Sequence, residues 1–88
     1  MDDARRFKRN PNVSWRVIEG QAVLILNKEG EVQVLNELGT FIWERLEEDP
    51  EEVVRAIVAQ YEVTPEQARQ DLEEFVDSLT ASNAVRLP

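Results

Sequence analysis

Apolar residues change period once along the chain, and that change divides it into two halves. From Val13 to Ile18 apolar and polar positions alternate, with Val13, Trp15 and Val17 on one face, the pattern of a half-buried strand. Glu19-Gly20 is a short hairpin signal, because glycine enters the positive-φ region without penalty. The run from Gln21 to Leu26 is almost continuously apolar, as befits the middle of a sheet. After the turn Asn27-Lys28-Glu29-Gly30, residues 31–35 form a third strand. Tight turns between three strands predict an antiparallel meander with the first and third strands at its edges.

Beyond residue 35 the apolar spacing becomes helical. Asn36 caps a helix whose face carries Leu38, Phe41, Ile42 and Leu46. Asp49-Pro50-Glu51-Glu52 opens a second helix, with an Asp cap and proline at the first helical position, and its stripe is Val53, Val54, Ile57, Val58 and Tyr61. Thr64-Pro65-Glu66-Gln67 opens a third, read as a capping box with Thr64 and Gln67 as reciprocal partners. Ala68, Leu72, Phe75, Val76 and Leu79 share one face of it. The helix is expected to stop near Ser82-Asn83, since Asn accepts the left-handed conformation, and residues 84–87 to lie as a short tail against the core. Three strands followed by three helices make an α+β architecture, a three-stranded antiparallel sheet covered on one side.

Composition narrows the function. The chain has 88 residues, no cysteine and no histidine. Without these it lacks the commonest general base, thiolate and imidazole metal ligands, and any Ser-His or Cys-His nucleophile pair. Its three glycines are too scattered to cradle a phosphate. The acids Glu47, Glu48, Asp49, Glu51 and Glu52 cover a helix end and the next helix start, without the alternating oxygens and central glycine of a cation loop. The expectation is a protein that is not an enzyme and takes no metal or cofactor. With no secretory signal at its start and no apolar run of membrane length, it is expected to be cytoplasmic.

The net charge of −8 is uneven. Residues 1–16 carry +3 through Arg5, Arg6, Lys8, Arg9 and Arg16 against Asp2 and Asp3, and the remaining residues carry −11. Residues 1–10 are read as a flexible basic arm ahead of a domain over residues 11–88. Nucleic-acid binding needs Lys and Arg to displace counterions, and the third helix carries Glu66, Asp71, Glu73, Glu74 and Asp77 against Arg69 alone. A winged-helix DNA binder using the basic stretch from Arg5 to Arg16, and a dimerisation module, are the competing readings. Trp43 lies at the margin of the first helix's stripe, as a core-edge cover or a partner's anchor. Gly39, in the first helical turn, marks close backbone packing or a ligand's approach.

The segment Glu29-Gly30-Glu31-Val32-Gln33-Val34-Leu35-Asn36-Glu37-Leu38-Gly39-Thr40-Phe41-Ile42-Trp43-Glu44-Arg45-Leu46 resembles the coenzyme PQQ synthesis protein D (PqqD-like) family. A strand ending in Leu-Asn, a glycine three residues after that Asn, Ile-Trp and a closing Leu are the shared features. Pro11-Asn12-Val13, Trp15-Arg16, Tyr61-Glu62-Val63, Asp71, Phe75 and Leu79 extend the likeness over residues 9–87. The resemblance implies a small winged-helix-like domain that recognises the leader of a ribosomally made precursor peptide. The leader would add as an antiparallel strand to the third strand's edge, along the third helix, and be presented to a modifying enzyme such as a radical-SAM enzyme. By the same resemblance the groove would involve Val32, Gln33, Val34 and Leu35 of the strand, and Asp71, Leu72, Phe75, Val76 and Leu79 of the helix. An edge strand's unpaired N–H and C=O groups suit such an addition physically. Asn83 stands where the family often has a helix-ending glycine. Lys28-Glu29-Gly30 replaces the Pro-Glu-Gly of members dedicated to PQQ, which implies a protein serving some other peptide, as monomer or homodimer.

Overall fold

The computed structural model describes residues 6–27 and 29–88. The chain forms β1 (Lys8–Arg9), β2 (Ser14–Ile18), β3 (Gln21–Ile25), β4 (Val32–Val34), α1 (Glu37–Arg45), α2 (Pro50–Tyr61), α3 (Pro65–Ala81) and β5 (Val85–Arg86). The three expected strands form an antiparallel sheet in the order β2-β3-β4, followed by three helices, an α+β fold. Glu19 and Gly20 both take positive φ, 52° and 82°, between the paired Ile18 and Gln21. Such a two-residue turn matches the twist of the strands it joins.

The helix boundaries follow from their caps. Asn36 accepts from the Gly39 amide at 2.7 Å, Asp49 from Glu51 at 2.9 Å and Thr64 from Gln67 at 3.1 Å. The reciprocal half of the expected capping box is not made. Gln67 instead gives its side-chain amide to Asp71 at 2.8 Å, one turn along the exposed face. At the other end of α3, Asn83 has φ 67°, its amide donates to Thr80 and the Ala84 amide to Leu79, at 3.0 and 2.8 Å. These are the two bonds of a Schellman motif, and the chain turns back into β5.

Two short strands escape the sequence pattern. Of the stretch expected as a basic arm, residues 1–5 lie outside the described residues, whereas Lys8–Arg9 pair antiparallel with Val85–Arg86. Two residues are too short to show a period, so composition alone suggested a solvated tail. Arg9 is held along its length: its amide donates to Glu47 Oε2 at 2.8 Å, and its guanidinium donates to the Trp43 carbonyl at 2.6 Å. The same guanidinium sits 5.4 and 5.6 Å from the rings of Trp15 and Trp43. Asn10 is buried and ties both ends together, donating to the Asn83 carbonyl at 2.8 Å and accepting from the Asn12 amide at 2.9 Å.

The core lies between the sheet and the helices. Ala22, Leu24 and Leu35 from the sheet meet Ile42, Trp43, Leu46, Val53, Ile57 and Leu79 from the helices. Trp43 is fully buried, which settles its role as core rather than exposed anchor. Val13, Trp15 and Val17 were expected to share the buried face of the first strand, but only Val13 is buried. β2 lies at the sheet's edge, where it pairs only with β3 while α1 packs on β3, so its inward side chains are incompletely covered. Trp15 touches the core through a T-shaped contact with Trp43, the ring centroids 5.8 Å apart and the planes at 90°. At the α1–α2 junction Tyr61 stacks edge-on against Phe41. Burial, then Glu37, pushes its phenol pKa up while Arg45 opposes them.

One polar contact joins the layers. Leu35 donates to the Ala22 carbonyl at 2.9 Å, the last strand bond before the chain turns into α1. The Ala22 amide, buried on that same side, is taken instead by the hydroxyl of Thr40 at 2.8 Å, and Thr40 is itself buried. Thr40→Val keeps the shape and removes the acceptor, leaving a buried N–H without a partner, which costs roughly 1–3 kcal/mol. Urea unfolding should show that loss for Thr40→Val and most of the stability retained for Thr40→Ser, which keeps the hydroxyl.

A strand edge beside an apolar groove

β4 is an edge strand, paired with β3 through Val23↔Val34, Leu24↔Gln33 and Ile25↔Val32. Its peptide groups alternate in direction, as in any antiparallel ladder. The Leu35 amide donates to Ala22 and the Glu31 carbonyl accepts from Leu26 at 2.8 Å, so residues 31, 33 and 35 turn their peptide groups toward β3. The N–H and C=O of Val32 and Val34 therefore face the open edge. Side chains alternate on the other axis: Gln33 and Leu35 share the helix-covered face with Leu24 and Ala22, while Val32 and Val34 point to the opposite face.

Beside this edge, between β4, the start of α1 and one side of α3, runs a groove of about 320 Å³. Leu35, Leu38, Gly39, Ile42, Phe75 and Leu79 give it an apolar floor, and Gln33, Asn36, Asp71, Glu74 and Ser78 stand around it. Gly39 sits in this floor where little room is left for a side chain. A Cβ there would lie 3.1 Å from the capping oxygen of Asn36 and 3.4 Å from both Leu35 and the Phe75 ring. Its place is close packing against sheet and helix, and the same closeness brings α1 and α3 together under the groove. Asp71 and Glu74 each accept from a side-chain amide one turn earlier, Gln67 at 2.8 Å and Gln70 at 3.0 Å. Their remaining oxygens give the α3 wall a negative character.

Of the nine residues singled out from the sequence, Gln33, Val34, Leu35, Asp71, Phe75 and Leu79 line this groove, and Val32 supplies the edge. Leu72 and Val76 do not reach it. They line a second cavity of about 390 Å³ on the other side of α3, against Phe7, Val54 and Leu87. Residues 71, 75 and 78 fall on one face of a helix turning 100° per residue, and 72 and 76 fall on the next face round. Glu74 and Ser78 were missed, although their spacing from Asp71 and Phe75 on α3 was enough to include them. Leu38, Asn36 and Ile42 carried no such signal, since only the fold brings α1 beside α3.

The described residues hold no group of three His, Cys, Asp or Glu placed to bind a metal ion, and no described helix is long and apolar enough to cross a membrane. No curated protein matches the chain. Two solved structures resemble it over nearly their whole length. One, TbiB1 in complex with the TbiA(β) leader peptide, superposes with a TM-score of 0.82 at 32% identity, over 90% of this chain and 94% of that one. The other, a lasso peptide synthetase B1 complexed with the leader peptide, gives 0.81 at 29% identity, over 94% and 99%. The family model of coenzyme PQQ synthesis protein D matches residues 21–85, most of the sheet and all three helices. The chain belongs to the coenzyme PQQ synthesis protein D (PqqD) family.

Proposed function

We propose that this protein binds the leader segment of a ribosomally made precursor peptide and presents it to a modifying enzyme, without catalysis of its own. The observation that carries the reading is the juxtaposition of the open β4 edge with the groove against α3. Both similar structures are complexes with leader peptides, which supports it. The leader lies antiparallel to β4 as a fourth strand, with alternate side chains dipping toward Leu35, Phe75 and Leu79. Precursors of this kind leave the ribosome in the cytoplasm, and the binding is assigned there.

Magnitudes explain why edge and groove are needed together. Val32 and Val34 offer four edge groups, each bond worth about 0.5–1.5 kcal/mol net. Ordering the peptide backbone costs about 1–2 kcal/mol per residue, so the edge alone holds nothing. One or two apolar side chains buried in the groove, at about 1.5–3 kcal/mol each, tip the balance and supply the selectivity. The acidic wall favours a leader with Lys or Arg beside its apolar anchors. The same acids oppose the DNA-binding reading, and Arg9, one of its basic residues, is already engaged by Trp43 and Glu47.

Titration with the TbiA(β) leader, or with the leader of the chain's own precursor, should move the backbone amide resonances of residues 32–35 and of the groove side of α3. Shifts confined to Leu72, Val76 and the second cavity would place the peptide elsewhere. Val34→Pro removes a donor that points away from β3, so the domain should stay folded while leader affinity falls about tenfold or more, equivalent to about 1.4 kcal/mol. Gln33→Pro removes a donor turned into the sheet and should lower the urea midpoint as well. Ser78→Trp, at an exposed position of the wall, should fill the groove and weaken binding to a similar degree at unchanged stability; unaltered affinity would argue against the groove.

A further inference from the structure

The sheet's other face is apolar where water should favour polar residues. Antiparallel strands with one solvated face ordinarily alternate apolar-in with polar-out. Here the face turned away from the helices carries Ile18, Ile25, Val32 and Val34, which are 49, 44, 53 and 56% exposed, with Val23 half-buried among them. Strand propensity does not require this, since threonine serves an exposed strand equally well. Arg16 stands in the same patch, directly across from Val23, and these strands place no carboxylate on that face.

We propose that this face is the docking surface for the enzyme that acts on the bound peptide, a protein surface apolar at its centre with a carboxylate set to meet Arg16. The partner's identity rests on the leader-binding reading. Continuity with the β4 edge points to it: a leader strand added beside Val32 and Val34 extends the sheet, and its alternate side chains fall on this same face. An enzyme seated there touches carrier and peptide together. Area excludes a second copy as the stable occupant. Strands of five, five and three residues cover roughly 200 Å², against about 800 Å² per partner in a stable interface. A second copy would also bring another Arg16 and no counter-charge. The enzyme makes up the difference through its contacts with the leader, so leader and enzyme strengthen each other's binding by a common factor.

The test measures binding of the purified enzyme encoded with the precursor to the full chain, with and without saturating leader. Wild-type protein should bind the enzyme about fivefold or more tightly when leader-loaded. The double variant Ile18→Thr/Ile25→Thr, and separately Arg16→Glu, should keep wild-type leader affinity and the wild-type unfolding midpoint while losing about tenfold or more in enzyme affinity. Enzyme binding unchanged in both variants, or absent from the leader-loaded wild type, would overturn the proposal. So would a stable dimer of the chain abolished by the double variant, which would assign the face to a second copy. If the wild type binds no leader but binds enzyme, and the variants lose that binding, the leader reading fails and the docking face stands.

Discussion

The place where β4 stops governs the rest of the structure. A strand cannot leave a sheet without stranding its neighbour's peptide groups, and a buried N–H without an acceptor is expensive. Here the neighbour is Ala22, and the acceptor is the hydroxyl of Thr40, one turn into α1. Because a helix residue completes the sheet's hydrogen bonding, α1 is fixed in both position and rotation over β3. That in turn sets Gly39 so close to Leu35 and Phe75 that an added Cβ would lie 3.4 Å from each, and Phe75 brings α3 with it. Edge, floor and wall of the groove are consequences of one ladder being ended from outside.

The opposite end of the molecule is closed by different means. Arg9 spans from Glu47 to the two indole rings, Asn10 reaches across to Asn83, and β1 and β5 clasp the ends of the described chain. The Schellman bonds at residues 83 and 84 aim β5 into that clasp. The outcome is asymmetric: the N- and C-terminal strands satisfy each other, while β4 keeps a free side.

Much of this was legible in the residues. Caps at Asn36, Asp49 and Thr64, the turn at Glu19-Gly20 and the stop at Asn83 are local chemistry, and local chemistry is written in adjacent positions. The order of strands and helices followed, and so did the third strand's place at an edge, whereas its position beside α3 was implied only by the family resemblance. What was not legible is what depends on distant partners. Gln67 chose Asp71 over its cap, Lys8–Arg9 became a strand only because residues 85–86 arrive beside them, and Trp15 is incompletely covered because α1 packs chiefly over β3 rather than over the outer strand. The assignment of Leu72 and Val76 to the groove treated the apolar stripe of α3 as one surface, whereas the packed helix divides it between two.

The brevity of β4 has a kinetic meaning. With only Val32 and Val34 presenting peptide groups outward, a strand added there makes few bonds, and affinity differences of this kind are expressed mainly in how fast a complex comes apart. A carrier must let go, and an edge that makes few bonds leaves the groove contacts to set the dwell time, so the same molecule can be emptied and filled again.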